Sequence, residues 1–152
     1  MSKILVVDDD RNIREKMSGY LGGLGYAVNT AEDGKFAVNC LIRDPFDLVI
    51  TDRQMPRLRG EELAKLMRGG YRSERDENIL NYFSGNADTF DAFTARYKET
   101  PIIVMSSEPP SDLARMNLED IGVTNFLGKG LDLDHPFRED ELRVMVARYL
   151  PL

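Results

Sequence analysis

Short apolar runs rich in β-branched residues alternate with amphipathic helical patterns along this chain. The runs that predict strands lie at 4–7, 27–30, 48–51, 101–105 and 123–127. Strands that alternate with helices favour a parallel sheet, because each helix carries the chain back to start the next strand in the same direction. The runs show no regular polar–apolar alternation, which is typical of strands that are covered on both faces. The pattern therefore predicts an α/β fold.

Between the predicted strands, apolar residues recur at helical spacing. In the first such segment, Ile13, Met17 and Leu21 share one face, and Asp10 is placed to cap the helix. Further helices are predicted around 36–41, 63–67, 111–121 and 142–149. The helix around 36–41 should stop before Pro45, since the residue before a proline disfavours helical backbone angles.

Composition and charge exclude several classes of protein. The 152 residues suit a single domain, 1–152, and the net charge of −6 argues against a dedicated nucleic-acid surface. Cys40 is the only cysteine, so the chain can form no internal disulfide and suits a reducing compartment. The chain has neither a membrane-length apolar run nor a signal peptide. We expect a cytoplasmic protein that binds neither nucleic acid nor membrane.

Polar residues collect where the predicted strands end. The first strand runs into three consecutive aspartates, 8–10, the third into Asp52, the fourth into Ser106 and the fifth toward Lys129. In parallel sheets the carboxyl ends of the strands share one edge, and ligands bind there. We therefore expect carboxylates, a hydroxyl and an ammonium group to converge in one pocket. Asp52 should be presented to this pocket rather than buried.

This set of side chains suits phosphoryl chemistry. Clustered carboxylates repel one another and favour a cation, and hard oxygen ligands in a partly open site suit Mg²⁺. An aspartate shielded by such a cation can attack phosphorus and form an aspartyl phosphate. Lys129 would pair with phosphoryl oxygens, and Ser106 would donate a hydrogen bond to one of them. Asp10 fits a helix cap better than a metal ligand.

Four motifs in this order resemble the response regulator receiver domain of two-component signalling. They are ILVVDDD at 4–10, DLVITDRQMP at 47–56, PIIVMSS at 101–107 and GVTNFLGKG at 122–130. The resemblance covers most of the chain. It implies a flavodoxin-like, doubly wound, five-stranded parallel sheet in the order 2-1-3-4-5.

The resemblance also implies a metal site and a phosphorylation site. Asp52 would accept the phosphoryl group. Asp9 would bind Mg²⁺ directly and Asp8 would bind it through water, while Asp52 and the backbone carbonyl of Gln54 would complete the protein ligands.

The remaining matched positions would handle the phosphoryl group after transfer. By resemblance, Ser106 is the switch hydroxyl, Lys129 the phosphoryl-binding cation and Phe126 the switch aromatic. Gln54 and Glu108 occupy the variable positions that tune how fast the phosphoryl group hydrolyses.

The implied partners are a histidine kinase or phosphotransfer protein as phosphodonor, and a target protein that the sequence does not identify. The only implied catalysis is self-phosphorylation and slow self-dephosphorylation. One alternative is a receiver-like interaction module that is not phosphorylated. Another is a phosphatase that resembles the haloacid dehalogenase superfamily, because Asp8 and Asp10 form an Asp-x-Asp; this leaves Asp52, Met55 and Pro56 unexplained.

The sequence departs from the family pattern beside Lys129. Gly130 stands where the family has a proline in a cis bond, and a cis bond before a residue other than proline costs about 3–4 kcal/mol, so the Lys129–Gly130 peptide should be trans. Gly128 on the other side predicts that Lys129 is loosely held. The Pro136-Phe137 pair follows later, as if the family's turn were lengthened by 130–135.

A second departure is the insertion 69–99 between the third helix and the fourth strand. Its aromatic stripes predict one or two extra helices, separated by a break at 84–86. A helix-to-strand connection lies at the amino ends of the strands, opposite Asp52. We expect most of the aromatics to pack on the domain, with some surface left for a partner or for a second copy in a homodimer.

Overall fold

The computed structural model describes residues 1–55, 58–70, 83, 87–107, 122–130 and 132–152. The strands are β1 (Lys3–Val7), β2 (Ala27–Ala31), β3 (Leu48–Asp52), β4 (Ile102–Ser106) and β5 (Asn125–Gly128). The helices within the described residues are α1 (Arg11–Gly23), α2 (Gly34–Arg43), α3 (Gly60–Met67), α4 (Ala87–Tyr97) and α5 (Glu139–Tyr149). None of these helices combines the length and the apolar character needed to cross a membrane.

The five strands form one parallel sheet in the order β2-β1-β3-β4-β5. This order confirms the predicted 2-1-3-4-5 arrangement. It makes β3 the central strand, with Val49 opposite Leu5 on one side and opposite Ile102 on the other. The carboxyl ends of β1, β3 and β4 therefore lie side by side, which places the residues that follow them at one edge of the sheet.

Both faces of the sheet are covered by helices. Side chains alternate between the faces, so Ile4 and Val6 of β1 belong to the apolar cluster with α1 and α5. Leu5 and Val7 belong to the cluster with α2, α3 and α4. All four side chains are fully buried. Burial on both faces explains why the strand sequences are apolar throughout.

The helix boundaries follow local signals in the sequence. Asp10 caps α1 by accepting a hydrogen bond from the backbone N–H of Asn12, at 2.9 Å, as predicted. Gly25, with φ of 104°, turns the chain toward β2. Asp33 caps α2 in the same way by accepting from the backbone N–H of Phe36. The helix α2 ends at Arg43, before Pro45.

Within the insertion 69–99, α4 is held by buried aromatic side chains. Phe83, Phe90, Phe93 and Tyr97 are all buried. The ring of Phe83 lies 5.2 Å from that of Phe90 and 5.0 Å from that of Phe93, which in turn lies 5.2 Å from that of Tyr97. Thr94 lies against Gly69, just past the end of α3. The packing of these aromatics on the domain agrees with the sequence-based expectation.

Two side chains tie α4 to its neighbours. The Tyr97 hydroxyl lies 2.6 Å from the carbonyl oxygen of Leu41 and 2.8 Å from that of Asp44, at the C-terminal end of α2. Arg68 donates from Nη1 to the carbonyl oxygen of Tyr97 and from Nε to that of Gly122. These contacts lie where α2 and α3 end, at the amino edge of the sheet, away from Asp52.

Some predicted features fall outside the described residues. They are the helix over 111–121, Glu108, the first apolar stripe of the insertion apart from Phe83, and the break at 84–86.

Candidate functional site

Three aspartates meet at the carboxyl edge of the sheet. Asp8 and Asp9 follow β1, and Asp52 ends β3; one carboxylate oxygen from each lies within 4.8 Å of those of the other two. Asp9 is exposed, whereas Asp8 is fully buried and Asp52 is 5% exposed. The expectation that Asp52 would not be buried was therefore wrong. Because β3 is central, the neighbouring strands enclose its last residue even though its carboxylate faces the other acids.

Asp8 is a buried carboxylate whose pKa is strongly raised. Its Oδ1 accepts a hydrogen bond from the backbone N–H of Asp10 at 2.9 Å, while its Oδ2 has no hydrogen-bond partner among the described residues. Burial raises the pKa of Asp8 from 3.8 to about 7; the Asp10 N–H opposes this rise, and the neighbouring charge of Asp52 adds to it. A buried carboxylate with an unsatisfied oxygen favours a proton or a cation.

Lys129 lies directly beside the two buried acids. Its Nζ is 3.0 Å from Asp52 Oδ1 and 3.6 Å from Asp8 Oδ2. Burial lowers the pKa of Lys129, but its hydrogen bond to Asp52 and the charges of both carboxylates outweigh this, so the net shift is upward. Burial raises the pKa of Asp52, and Lys129 opposes that rise. Two buried carboxylates thus contact one ammonium group, and the exposed Asp9 carboxylate lies beside them.

The sequence predicts a trans Lys129–Gly130 peptide and a mobile loop around it. No cis peptide bond occurs among the described residues, so the Lys129–Gly130 peptide is trans as predicted. The predicted mobility of the loop around Lys129 stays a prediction, but the side chain is only 20% exposed and the backbone is hydrogen-bonded. Lys129 N donates to the Ser106 carbonyl at 2.9 Å, and Lys129 forms an antiparallel bridge with Phe137.

The other predicted site residues surround this group. Ser106 ends β4 and is buried, and it pairs in register with Gly128, next to Lys129. The backbone N–H of Gln54 donates to the Asp52 carboxylate and lowers its pKa. Phe126 lies on β5 and packs, partly buried, against the cluster that contains α2 and α3.

Sequence reasoning missed two residues that shape the site. Gly60 begins α3, and a Cβ atom there would overlap the backbone oxygen of Asp52, so only glycine allows this close approach. Arg14 donates from Nη1 to the Asp8 carbonyl at 2.7 Å. A glycine at the start of a predicted helix was a usable signal for the first. Nothing in the sequence pointed to the second, since its partner is a backbone atom.

Comparison with known proteins identifies a family whose sequence pattern this chain matches. The sequence profile of the response regulator receiver domain matches residues 4–80, which is half of the chain. The chain belongs to this family. It is a receiver domain of the kind found in two-component response regulators.

The similar proteins agree with this assignment. Response regulator MprA of Mycolicibacterium vanbaalenii is 44% identical over 66 residues, which cover 43% of this receiver domain. The matched stretch spans 29% of MprA, so the chain matches less than a third of that relative's length.

Two solved structures show the same fold over nearly the whole chain. Chemotaxis response regulator CheY4 of Vibrio cholerae is 29% identical, with a TM-score of 0.72 over 99% of both chains. Response regulator TrrA of Thermotoga maritima, solved in complex with Mg²⁺ and BeF, is 27% identical, with a TM-score of 0.66 over 99% of this chain and 100% of TrrA.

Proposed function

We propose that this receiver domain accepts a phosphoryl group on Asp52 in a Mg²⁺-dependent reaction. The donor is a histidine kinase or a phosphotransfer protein, and the phosphorylated domain signals through contacts with a target protein. The observation that carries the proposal is the position of the Asp52 carboxylate, with the acidic pair Asp8 and Asp9 on one side and the Lys129 ammonium 3.0 Å away.

The residues present fit a magnesium ion. The donor set consists of hard carboxylate oxygens within 4.8 Å of one another. Asp8 also has an oxygen, Oδ2, that is buried without a hydrogen-bond partner among the described residues. Asp8, Asp9, Asp52 and the backbone carbonyl of Gln54 would hold the ion. When bound, Mg²⁺ would reduce the negative charge that repels an incoming phosphoryl group. The Mg²⁺ and BeF found with TrrA support this proposal.

In the transfer, an Asp52 carboxylate oxygen forms the new O–P bond as the N–P bond to the donor's phosphohistidine breaks, and the donor imidazole keeps the electron pair. The Lys129 ammonium, already beside Asp52, pairs with a phosphoryl oxygen. The Ser106 hydroxyl donates to another oxygen and acts as the switch hydroxyl, with Phe126 as the switch aromatic. Gln54 and Glu108 tune hydrolysis.

The site does not favour the phosphatase alternative. An Asp-x-Asp phosphatase site requires Asp8 and Asp10 to face the same substrate. Here the Asp10 side chain is engaged as the N-cap of α1, where it accepts from the backbone N–H of Asn12.

Acetyl phosphate with Mg²⁺, followed by intact mass measurement, tests the proposal. The wild-type chain should gain the mass of one phosphoryl group, and Asp52→Asn, which keeps the shape of the side chain, should gain none. Asp91→Asn, an exposed position on α4, is the control and should behave as wild type. Phosphoryl uptake by Asp52→Asn at the wild-type level would mean that another residue is the acceptor.

A second pair of variants tests the metal site. Asp9→Asn should weaken Mg²⁺ binding at least about tenfold, since it removes a charged ligand, whereas Asp10→Asn should leave it nearly unchanged because Asp10 caps a helix. Titration of each variant with Mg²⁺ alone measures this difference. Equal weakening in both variants would contradict the assignment of Asp9.

A further inference from the structure

The carboxyl edge of the sheet contains a closed loop directly after Lys129. Gly130 N donates to the Pro136 carbonyl at 2.8 Å, and Lys129 pairs with Phe137 in an antiparallel bridge. Phe137 is buried with α1 and α5, and its ring lies 6.0 Å from that of Tyr20. The chain that follows the lysine therefore returns at Pro136 and Phe137 and pairs with Gly130 and Lys129.

This closure depends on the absence of a side chain at Gly130. A Cβ atom at this position would overlap the carbonyl oxygen of His135, and it would lie 2.7 Å from the carbonyl carbon of His135 and 2.9 Å from that of Pro136. All three are backbone atoms, so no side chain can rotate to make room. On the other side of the lysine, a Cβ atom at Gly128 would meet no atom within 4 Å.

The far side of the loop is also held in place. Asn12 Nδ2 donates to the Leu133 carbonyl at 3.1 Å, and Lys16 Nζ donates to the Asp134 carbonyl at 3.2 Å; both donors lie on α1. With α1 on one side and the buried Phe137 on the other, the 133–136 backbone has little freedom to withdraw from Gly130. A side chain at Gly130 would therefore displace the Lys129 end of the loop.

We propose that Gly130 is a positioning residue for Lys129: its missing side chain lets residues 135–137 approach the end of β5, and this approach holds the ammonium group against Asp52 and Asp8. The inference rests on the proposed function, because it concerns the group that binds the phosphoryl oxygens. The two glycines beside Lys129 thus have different roles. Gly130 is required for the contact, and Gly128 is replaceable.

Gly130→Ala and Gly128→Ala in the full chain form a matched pair that tests the proposal. The first measurement is the exchange of the Lys129 ammonium protons with water, followed by ¹⁵N NMR, and it does not depend on phosphorylation. A held ammonium group should give a slowly exchanging signal in the wild type and in Gly128→Ala, and this signal should be lost in Gly130→Ala. A retained signal in Gly130→Ala would overturn the proposal.

The second measurement is the rate of phosphorylation by acetyl phosphate with Mg²⁺. Gly130→Ala should be slowed at least about tenfold, and Gly128→Ala should match the wild type. In a Lys129→Ala background, Gly130→Ala should cause no further slowing, since the group that it displaces is already absent. Equal slowing in both backgrounds would show general damage to the site and overturn the proposal. If the wild type takes up no phosphoryl group, the proposed function fails, whereas the ammonium measurement still decides the role of Gly130.

If Gly130→Ala loses its native circular dichroism, the loop can be loosened from its exposed side instead. The variant Asn12→Ala/Lys16→Ala removes both side-chain bonds from α1 and leaves Gly130 in place. Exchange of the Lys129 ammonium protons should then accelerate about threefold, as expected for the loss of weak exposed contacts. Unchanged exchange would contradict the proposal that the closed loop holds the lysine.

Discussion

Two segments of the chain, the loop after Lys129 and the predicted insertion 69–99, are held in different ways. The loop after Lys129 lies at the carboxyl edge, and its residues Asp132, Leu133, Asp134 and His135 are exposed. It is closed mainly by backbone hydrogen bonds and a strand-like bridge. In the described part of the insertion 69–99, α4 ends near the amino edge and is held by buried aromatic rings.

The two segments should therefore contribute to different properties: the loop to the position of Lys129, and α4 to the stability of the domain. Burial of large aromatic side chains contributes strongly to the free energy of unfolding, whereas an exposed loop closed by hydrogen bonds contributes little but can fix one side chain in place. Changes in α4 should therefore affect stability and leave phosphorylation intact. Changes in the loop should do the reverse.

The largest expected effect on stability is in α4. Phe93→Ala should lower the free energy of unfolding by about 3–4 kcal/mol, because it removes a buried ring that contacts both Phe83 and Tyr97. Urea denaturation measures the loss, and Asp91→Ala, exposed on the same helix, is the control. The fully folded variant should still be phosphorylated at the wild-type rate. If the variant is phosphorylated more slowly at low temperature while its circular dichroism is native, the packing of α4 affects the site at the opposite edge, and the prediction is wrong.

The next effect concerns the carboxyl edge, where Asp8 itself should destabilise the metal-free chain. Its pKa rises from 3.8 to about 7 on folding, so the folded state binds this proton more tightly than the unfolded state. The free energy of unfolding should therefore fall as pH rises from about 4 through about 7, by about 2 kcal/mol between pH 5 and pH 8.

Urea denaturation in EDTA across this range measures the effect. Asp8→Asn should flatten the dependence, because it removes the group that titrates, and Asp91→Asn should leave it unchanged. A slope that persists in full in Asp8→Asn would assign the pH dependence to other groups. Asp52, whose pKa burial also raises, would be the first of these.

The smallest expected effect concerns a single hydroxyl group, that of Tyr97. Tyr97→Phe removes the hydroxyl that serves the carbonyls of Leu41 and Asp44, and it should cost about 1–2 kcal/mol, since buried acceptors at the end of α2 lose their partner. Tyr20→Phe is the matched control, because the Tyr20 hydroxyl donates to the Glu139 carbonyl at an exposed site where water can replace it. Thermal unfolding of both variants gives the difference. Equal losses of stability in the two variants would mean that burial does not increase the contribution of the Tyr97 hydroxyl.

Local signals in the sequence determined the elements of this receiver domain. The strand runs, the caps Asp10 and Asp33 and the stop before Pro45 act between near neighbours in the chain, so they can be interpreted without the fold. The alternation of strands and helices then predicts a parallel sheet that brings Asp8, Asp9 and Asp52 to one edge, whereas the strand order 2-1-3-4-5 was implied by the family resemblance.

Only the tertiary structure decided how the site residues are buried and held. Asp52 is buried because β1 and β4 lie on both sides of it, which no local pattern encodes. Lys129 between two glycines looks loosely held in sequence, yet residues 133–137, packed against α1 and α5, return to fix it. The physical reason is the same for both residues: their surroundings are made by segments distant in sequence, whose approach depends on the packing of the whole domain.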